Sequence, residues 1–168
     1  MSEYIVALQG LRKAINENSS EVSTKISELS DHLDEWFVTG DTPLTLAASL
    51  DRLDIIIELI QSGADVNAMS KNSGNVLHAA VVSENIAIVR YLISHGANVN
   101  AQTNDGVDAL MLAAAWGSIP LLELLLEFGA NINSRDFNGM YAADFAYGKG
   151  HLDIARWINS RGGLGGEL

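Results

Sequence analysis

A six-residue segment recurs along the chain at constant spacing, and no other feature limits the fold as strongly. GADVNA begins at Gly63, GANVNA at Gly96 and GANINS at Gly129, so each copy follows the previous one by 33 residues. An aliphatic stretch precedes each copy: DIIIELIQ, AIVRYLIS and PLLELLLE. A fixed period of this length is typical of a stacked array in which each unit buries its apolar face against its neighbours.

The residues within one period predict two helices joined by a turn. Thr42, Asn75 and Asp108 occupy one column, and each side chain can accept a backbone N–H as a helix N-cap. Alanine pairs follow, which predicts close packing of these first helices. The second helices carry aliphatic residues at helical spacing, and a glycine then stands where a left-handed residue ends a helix. We therefore expect each unit to be helix, turn, helix and an extended polar loop.

Several of these segments resemble the signatures of the ankyrin repeat family. They are TPLTLAA at 42–48, NVLHAAV at 75–81, GHLDIA at 150–155 and the repeated G-A-x-V-N-A joint. The resemblance covers about residues 41–163 and implies an all-α ankyrin-repeat solenoid whose loops project as β-turn fingers. On this interpretation the repeated segment is the joint between one helix and the next finger.

The resemblance implies structural roles for two columns of polar residues. Asn67, Asn100 and Asn133 are expected to hydrogen-bond the neighbouring loops and to hold the fingers in register. His78 stands in the histidine column of the family signature, where the resemblance implies a bond to the backbone of the adjoining loop.

Both ends of the chain depart from the pattern. Residues 4–15 and 22–37 have apolar residues at helical spacing without a repeat signature, and we predict a helical hairpin that caps the array. With a starting Met, its own cap and no appended domain, the chain is expected to be a complete protein. The predicted units are an N-terminal capping hairpin, three repeats, a degenerate C-terminal repeat and a flexible tail, at 1–40, 41–72, 73–105, 106–138, 139–163 and 164–168.

The charge of the chain narrows the classes of partner. Ten Lys and Arg face 21 Asp and Glu, which gives a formal net charge of −11 at pH 7. Such a surface repels phosphate backbones and anionic lipid, so we expect neither nucleic acid nor membrane, and a basic protein is the favoured partner. There is no long apolar run and no basic leader at the start, so we expect a cytoplasmic protein that is monomeric when free.

The sequence contains few residues that could catalyse a reaction or bind a metal ion. The chain has no cysteine, and none of its four histidines, His32, His78, His95 and His151, has another at metal-ligand spacing on the same helix. No nucleophile and base form a recognisable pair. We therefore predict no metal, no cofactor and no catalytic residue: the protein is not an enzyme.

The resemblance implies that partners contact the finger tips and the adjoining ends of the first helices. Several of these positions are apolar or aromatic, which is the composition of an interface core, although Trp116 could instead fold back as packing. The predicted contact residues are Leu50, Met69, Lys71, Val82, Gln102, Asp105, Val107, Trp116, Arg135, Asp136, Phe137 and Met140.

The leading functional hypothesis is a non-catalytic protein that binds one partner and acts by occupying its surface. An acidic ankyrin protein of this size resembles inhibitor or immunity proteins, which would neutralise a basic enzyme or toxin by steric blockade. The alternative is an adaptor or scaffold that links two proteins and inhibits neither.

Overall fold

The computed structural model describes residues 3–71 and 74–166, with no side-chain detail for residues 3 and 4. Over these residues all the regular structure is helical, apart from two isolated β-bridges. The helices are α1 (Glu3–Glu17), α2 (Val22–Glu28), α3 (Pro43–Ser49), α4 (Leu53–Gln61), α5 (Val76–Val82), α6 (Ile86–Ser94), α7 (Ala109–Trp116), α8 (Ile119–Glu127), α9 (Ala142–Gly148) and α10 (Leu152–Ser160).

The helices form a two-layer array, which confirms the predicted all-α solenoid. In the inner layer α1, α3, α5, α7 and α9 pack in succession, each against the next. In the outer layer α2 packs on α4, and α6 packs on α8. The inner helices approach closely because their contact column is alanine, and the outer helices fill the remaining space with leucine. The fully buried residues of these two columns include Ala47, Ala80, Ala113, Leu59, Leu92 and Leu125.

The predicted caps begin the inner helices. The side chains of Thr42, Asn75 and Asp108 each accept a backbone N–H from the first turn of α3, α5 and α7. Pro43 follows Thr42 as the first residue of α3, where its missing N–H donor costs no hydrogen bond. Each cap satisfies a donor that would otherwise be buried and unpaired, because all three capping residues lie in the interior.

The asparagine column links each loop to the next, as predicted. The amide of Asn67 donates to the carbonyl of Gly96 (3.0 Å), and its oxygen accepts the N–H of Asn98 (2.8 Å). Asn100 makes the same two bonds one repeat further along the chain. Asn133 donates to the corresponding carbonyl of the last repeat. The bonds bridge consecutive units and keep the fingers in register.

The N-terminal hairpin differs from the prediction in one respect. The sequence pattern favours a second helix over 22–37, but α2 ends at Glu28. Beyond it, the N–H groups of Leu29, His32 and Glu35 each bond a carbonyl three residues back, so the chain forms successive turns. The apolar spacing continues because Leu33 and Phe37 are buried from a loop.

This loop follows the 33-residue period of the repeats. Asp34, 33 residues before Asn67, accepts the backbone N–H of Asp65 (2.8 Å), just as each asparagine accepts one from the following loop. The N–H of Phe37 bonds the carbonyl of Asp41 (2.8 Å) and closes a finger. The same closure recurs one, two and three periods later, at 70–74, 103–107 and 136–140. That residues 1–40 cap the array stays a prediction, but the hairpin has a finger of its own.

The C-terminal segment is anchored up to the last described residue. The N–H of Gly166 donates to Asp144 of α9 (2.6 Å), and the carbonyl of Gly165 accepts from Asn159 of α10. A Cβ at Gly165 would overlap the Asp144 carboxylate, so glycine permits this close approach. Residues 164–166 thus have contacts that the prediction of a flexible tail did not include; the tail itself stays a prediction, and residues 167–168 lie outside the described part of the chain.

The joint glycines make a testable contribution to stability. Gly96 has a φ of +94° with open space around it, so Gly96→Ala adds strain without a clash. We expect it to lower the free energy of unfolding by about 1–2 kcal/mol, the cost of a left-handed L-residue, as measured by urea denaturation. Gly148 is the matched control, because it is helical and equally unobstructed, and Gly148→Ala should be neutral or stabilising. Equal stability of the two variants would contradict the role of Gly96.

Candidate protein-binding surface

A groove runs between the fingers and the inner helices of the first repeats. Its volume is about 530 Å³. One wall comes from the fingers and includes Asp41, Asp105 and Val107, and the other comes from α5 and includes Ala79 and Val82. Three of the predicted contact residues, Val82, Asp105 and Val107, are therefore brought together in one concavity.

The charged residues described in the groove are all acidic. Among the described residues that line it, Asp41 and Asp105 are the charged ones, and within residues 3–71 and 74–166 neither carboxylate takes part in a hydrogen bond or ion pair. Serine and threonine hydroxyls and aliphatic side chains make up much of the remaining lining. Such a lining favours a cationic group flanked by apolar surface.

Three predicted contact residues lie at the C-terminal ends of inner helices. Leu50 follows α3, Val82 ends α5 and Trp116 ends α7. All three are exposed, and half of the Trp116 surface is accessible to solvent (50%). The alternative, in which Trp116 is packing, would bury the indole, so this degree of exposure leaves it available for contact.

Phe137 is the most exposed of the predicted contact residues that are apolar. Its side chain is 74% exposed at the tip of the last finger, and Met140 at the base of that finger is 41% exposed. The N–H of Phe137 donates to the carbonyl of Asp105 (3.1 Å), and its ring lies where a Cβ on Gly106 would be. The ring is thus held against the preceding finger while most of its surface faces solvent.

Asp136 differs from its neighbours because it is buried. One of its carboxylate oxygens accepts the N–H groups of Asn138 (2.9 Å) and Met140 (2.7 Å), and the other accepts from the Asn138 amide. These bonds shape the last finger, so we expect a change at Asp136 to disturb folding. Asp136 is therefore unsuited to test the effect of surface charge on binding.

The remaining predicted contact residues lie along the fingers. The Arg135 guanidinium stacks over the Tyr141 ring at 4.7 Å from its centroid. Gln102 donates to the carbonyl of Arg135 (3.0 Å) and joins two fingers. Met69 and Lys71 are exposed on the finger of the first repeat.

The sequence pattern missed the first finger as a candidate contact surface. Trp36 is 49% exposed and Val38 is 89% exposed, and the indole N–H of Trp36 donates to the carbonyl of Met69 (2.8 Å). Trp36 stands 33 residues before Met69, which is one repeat period. This spacing is the sequence signal that would have identified Trp36 and Val38 as candidate contact residues.

His78 has the structural role that the family resemblance implies. It is buried on α5, its Nε2 lies 3.2 Å from the carbonyl oxygen of Val107, and its Nδ1 accepts the N–H of Asn75. Burial lowers the pKa of His78 below its usual value, although the Val107 carbonyl and the charge of Asp108 oppose the shift. The neutral imidazole therefore connects an inner helix to the next finger.

Within residues 3–71 and 74–166, no group of three or more His, Asp or Glu side chains is arranged to hold a metal ion. In the same residues, no helix combines the length and apolar character needed to cross a membrane.

Comparison with known families gives one match. A model of ankyrin repeats, in three copies, matches residues 11–103 and 77–163, and so spans most of the chain. The match begins within α1, inside the N-terminal hairpin. A search of curated proteins finds no match.

The lowered pKa of His78 predicts a pH dependence of stability. The unfolded histidine, with a pKa of about 6.5, gains a proton more readily than the folded one, so stability should fall as the pH drops below that value. We expect wild type to lose more unfolding free energy between pH 7.5 and 5.5 than His78→Gln does, as measured by urea denaturation.

His95→Gln, the same substitution at an exposed position, is the matched comparison: the difference in pH dependence between the two variants is the contribution assigned to His78. The Arg52 hydrogen bond lowers the pKa of Asp54, and any stability from that pair is lost only below about pH 4, outside the window. Equal pH dependence of wild type and His78→Gln would contradict the assignment.

Proposed function

Because the chain belongs to the ankyrin repeat family, we propose that it binds one basic protein partner along the groove and the finger tips. Ankyrin repeats are generally protein–protein interaction modules, and ankyrin repeat proteins are typically non-catalytic. The observation that carries the proposal is a groove with two unpaired carboxylates, no cation among its described lining residues, and exposed aromatic side chains beyond it.

The charges and the aromatic residues serve different steps of binding. The net charge of −11, with Asp41 and Asp105 in the groove, attracts a basic partner and accelerates encounter, an effect that salt screens. Trp116 and Phe137 each present a large apolar surface that contact would dehydrate, and such residues slow dissociation. The partner is therefore steered by charge and retained by apolar contact.

The proposed mode of action is steric blockade of a basic enzyme or toxin by a monomeric cytoplasmic protein, as an inhibitor or immunity protein would act. Blockade requires only that the partner's active surface lie against the groove. The alternative is an adaptor that holds two proteins and inhibits neither. The exposed apolar residues of the first finger favour the adaptor, because they provide a second contact surface.

An affinity purification with two baits tests the proposal. Wild type and the Trp116→Ala, Phe137→Ala double variant are used in parallel, and the captured proteins are identified by mass spectrometry. One basic protein, stoichiometric with wild type and lost with the variant, is the expected result. Loss of the partner's activity on addition of wild type supports blockade, and two simultaneous partners with unchanged activity support the adaptor. An acidic partner, or equal capture by both baits, contradicts the proposal.

The aromatic anchors predict an effect on dissociation. Trp116→Ala and Phe137→Ala should each weaken binding by about 2–4 kcal/mol, the cost typical of a central aromatic residue, mainly through a faster off-rate. Surface plasmon resonance with the captured partner measures this. Leu152→Ala, an equally apolar truncation at an exposed position on α10, should leave the rate unchanged.

Thermal melting is the control for these variants, since each must unfold near the wild-type temperature. If both aromatic variants melt normally and bind as tightly as wild type, this surface is not the binding site.

The groove carboxylates predict an effect on association. Asp41→Asn and Asp105→Asn should each lower the on-rate and reduce its dependence on salt, with little change in off-rate. Stopped-flow association at low and high salt measures both quantities. Asp153→Asn removes the same charge from α10, which does not line the groove, and should have a smaller effect. An equal effect at all three positions would mean that net charge alone, without the groove, steers the partner.

A further inference from the structure

A second cavity lies at the N-terminal end of the array, between α1 and the first finger. Its volume is about 620 Å³. The α1 side contributes Ile5, Leu8 and Arg12, and the finger side is the segment 36–38. Most of these lining residues are apolar, and Val38 is almost fully exposed at the cavity edge (89%).

One of the described residues that line the cavity, Arg12, is cationic. The Nε of Arg12 is buried and has no hydrogen-bond partner. Over the residues that the structure describes, the guanidinium also forms no ion pair. The side-chain amide of Asn16 donates to the backbone carbonyl of Arg12, so that bond does not involve the guanidinium. Arg12 as a whole is only partly buried and lines the cavity, so a carboxylate that entered the cavity would gain a charge-assisted hydrogen bond from its guanidinium.

The apolar side of the cavity is preorganised. The indole N–H of Trp36 donates to the carbonyl of Met69 (2.8 Å), which fixes the ring at the boundary between the first two fingers. About half of the Trp36 side chain is nevertheless exposed. The cavity is therefore continuous with the finger tips, since Trp36 lines it on one side and contacts the next finger on the other.

We propose that this cavity binds a segment of a protein partner in which a carboxylate side chain stands next to a large apolar side chain. The carboxylate pairs with Arg12, and the apolar side chain packs against Trp36 and Val38. The cavity is continuous with the finger row, the line of finger tips along the array, and this favours a polypeptide over a free fatty acid as the ligand. This inference does not depend on the groove, which prefers a cation: the first finger contributes Asp41 to the groove, but the two share none of their described lining residues.

Titration of the full chain, labelled with ¹⁵N, tests the proposal. The probes are two blocked tripeptides, Leu-Glu-Leu and Leu-Gln-Leu, which have the same shape and differ in charge. The acidic probe should shift the indole N–H resonance of Trp36 and the amides of α1, and should bind about tenfold more tightly than its glutamine analogue, since a charged acceptor strengthens the bond. Equal affinity of the two probes for wild type would overturn the proposal without any variant.

Variants then locate the source of the preference. Arg12→Gln should bind both peptides equally, while Lys13→Gln, an exposed neighbour on the same helix, should retain the tenfold difference. A preference that persists in Arg12→Gln overturns the assignment of the carboxylate partner. Trp116→Ala should leave the titration unchanged, so failure here and failure at the groove are distinguishable.

A third probe addresses the class of ligand. Octanoate carries the same carboxylate on an apolar chain and stands for a fatty acid. Weaker binding of octanoate than of the acidic peptide is expected. Tighter binding of octanoate would overturn the assignment to a protein segment.

Discussion

The hydrogen bonds between consecutive loops hold the array in register, and the groove and the finger row depend on them. The side-chain amides of Asn67 and Asn100 each donate to the loop ahead and accept from it, so the distance between those units is set by two bonds, and Asn133 donates to the last repeat. The buried alanine and leucine columns interlock only at that distance. Asp34 makes only half of this connection, because a carboxylate can accept the N–H of Asp65 but has no proton to donate to a carbonyl. Two further bonds join the N-terminal unit to the next finger, from the Trp36 indole to the Met69 carbonyl and from the Lys71 N–H to the Gly40 carbonyl (2.8 Å each).

The fixed register has a consequence for binding. Because the fingers are linked to one another by hydrogen bonds, we expect the side chains at their tips to keep their spacing when a partner binds. His78 adds a connection between α5 and the following finger, so one groove wall is tied to the other. A preorganised surface loses little conformational entropy on binding. Exposed aromatic side chains on such a surface can therefore contribute most of their contact energy to affinity.

Much of the fold followed from the sequence because its determinants are local and repeat. The capping residues, the joint glycines and the asparagine column act within a few residues or one period, and the structure places them as predicted. The end of α2 was not predictable from periodicity, since Leu33 and Phe37 continue the apolar spacing from a loop. Contacts between residues far apart in the sequence could not be predicted from it either. Neither the attachment of Gly166 to α9 nor the burial of Asp136 follows from neighbouring residues. For the same reason the sequence indicated which helix ends could contact a partner, but the exposure of Trp116 required the packed array.

Hydrogen–deuterium exchange of the free chain and of its complex with the captured partner tests most directly whether the groove and the finger row are the binding surface. Slower exchange is predicted in the fingers at 70–74, 103–107 and 136–140 and at the C-terminal ends of α3, α5 and α7, with the outer helices α4, α6 and α8 unchanged. Protection confined to the outer helices, with the fingers exchanging as in the free chain, would contradict it.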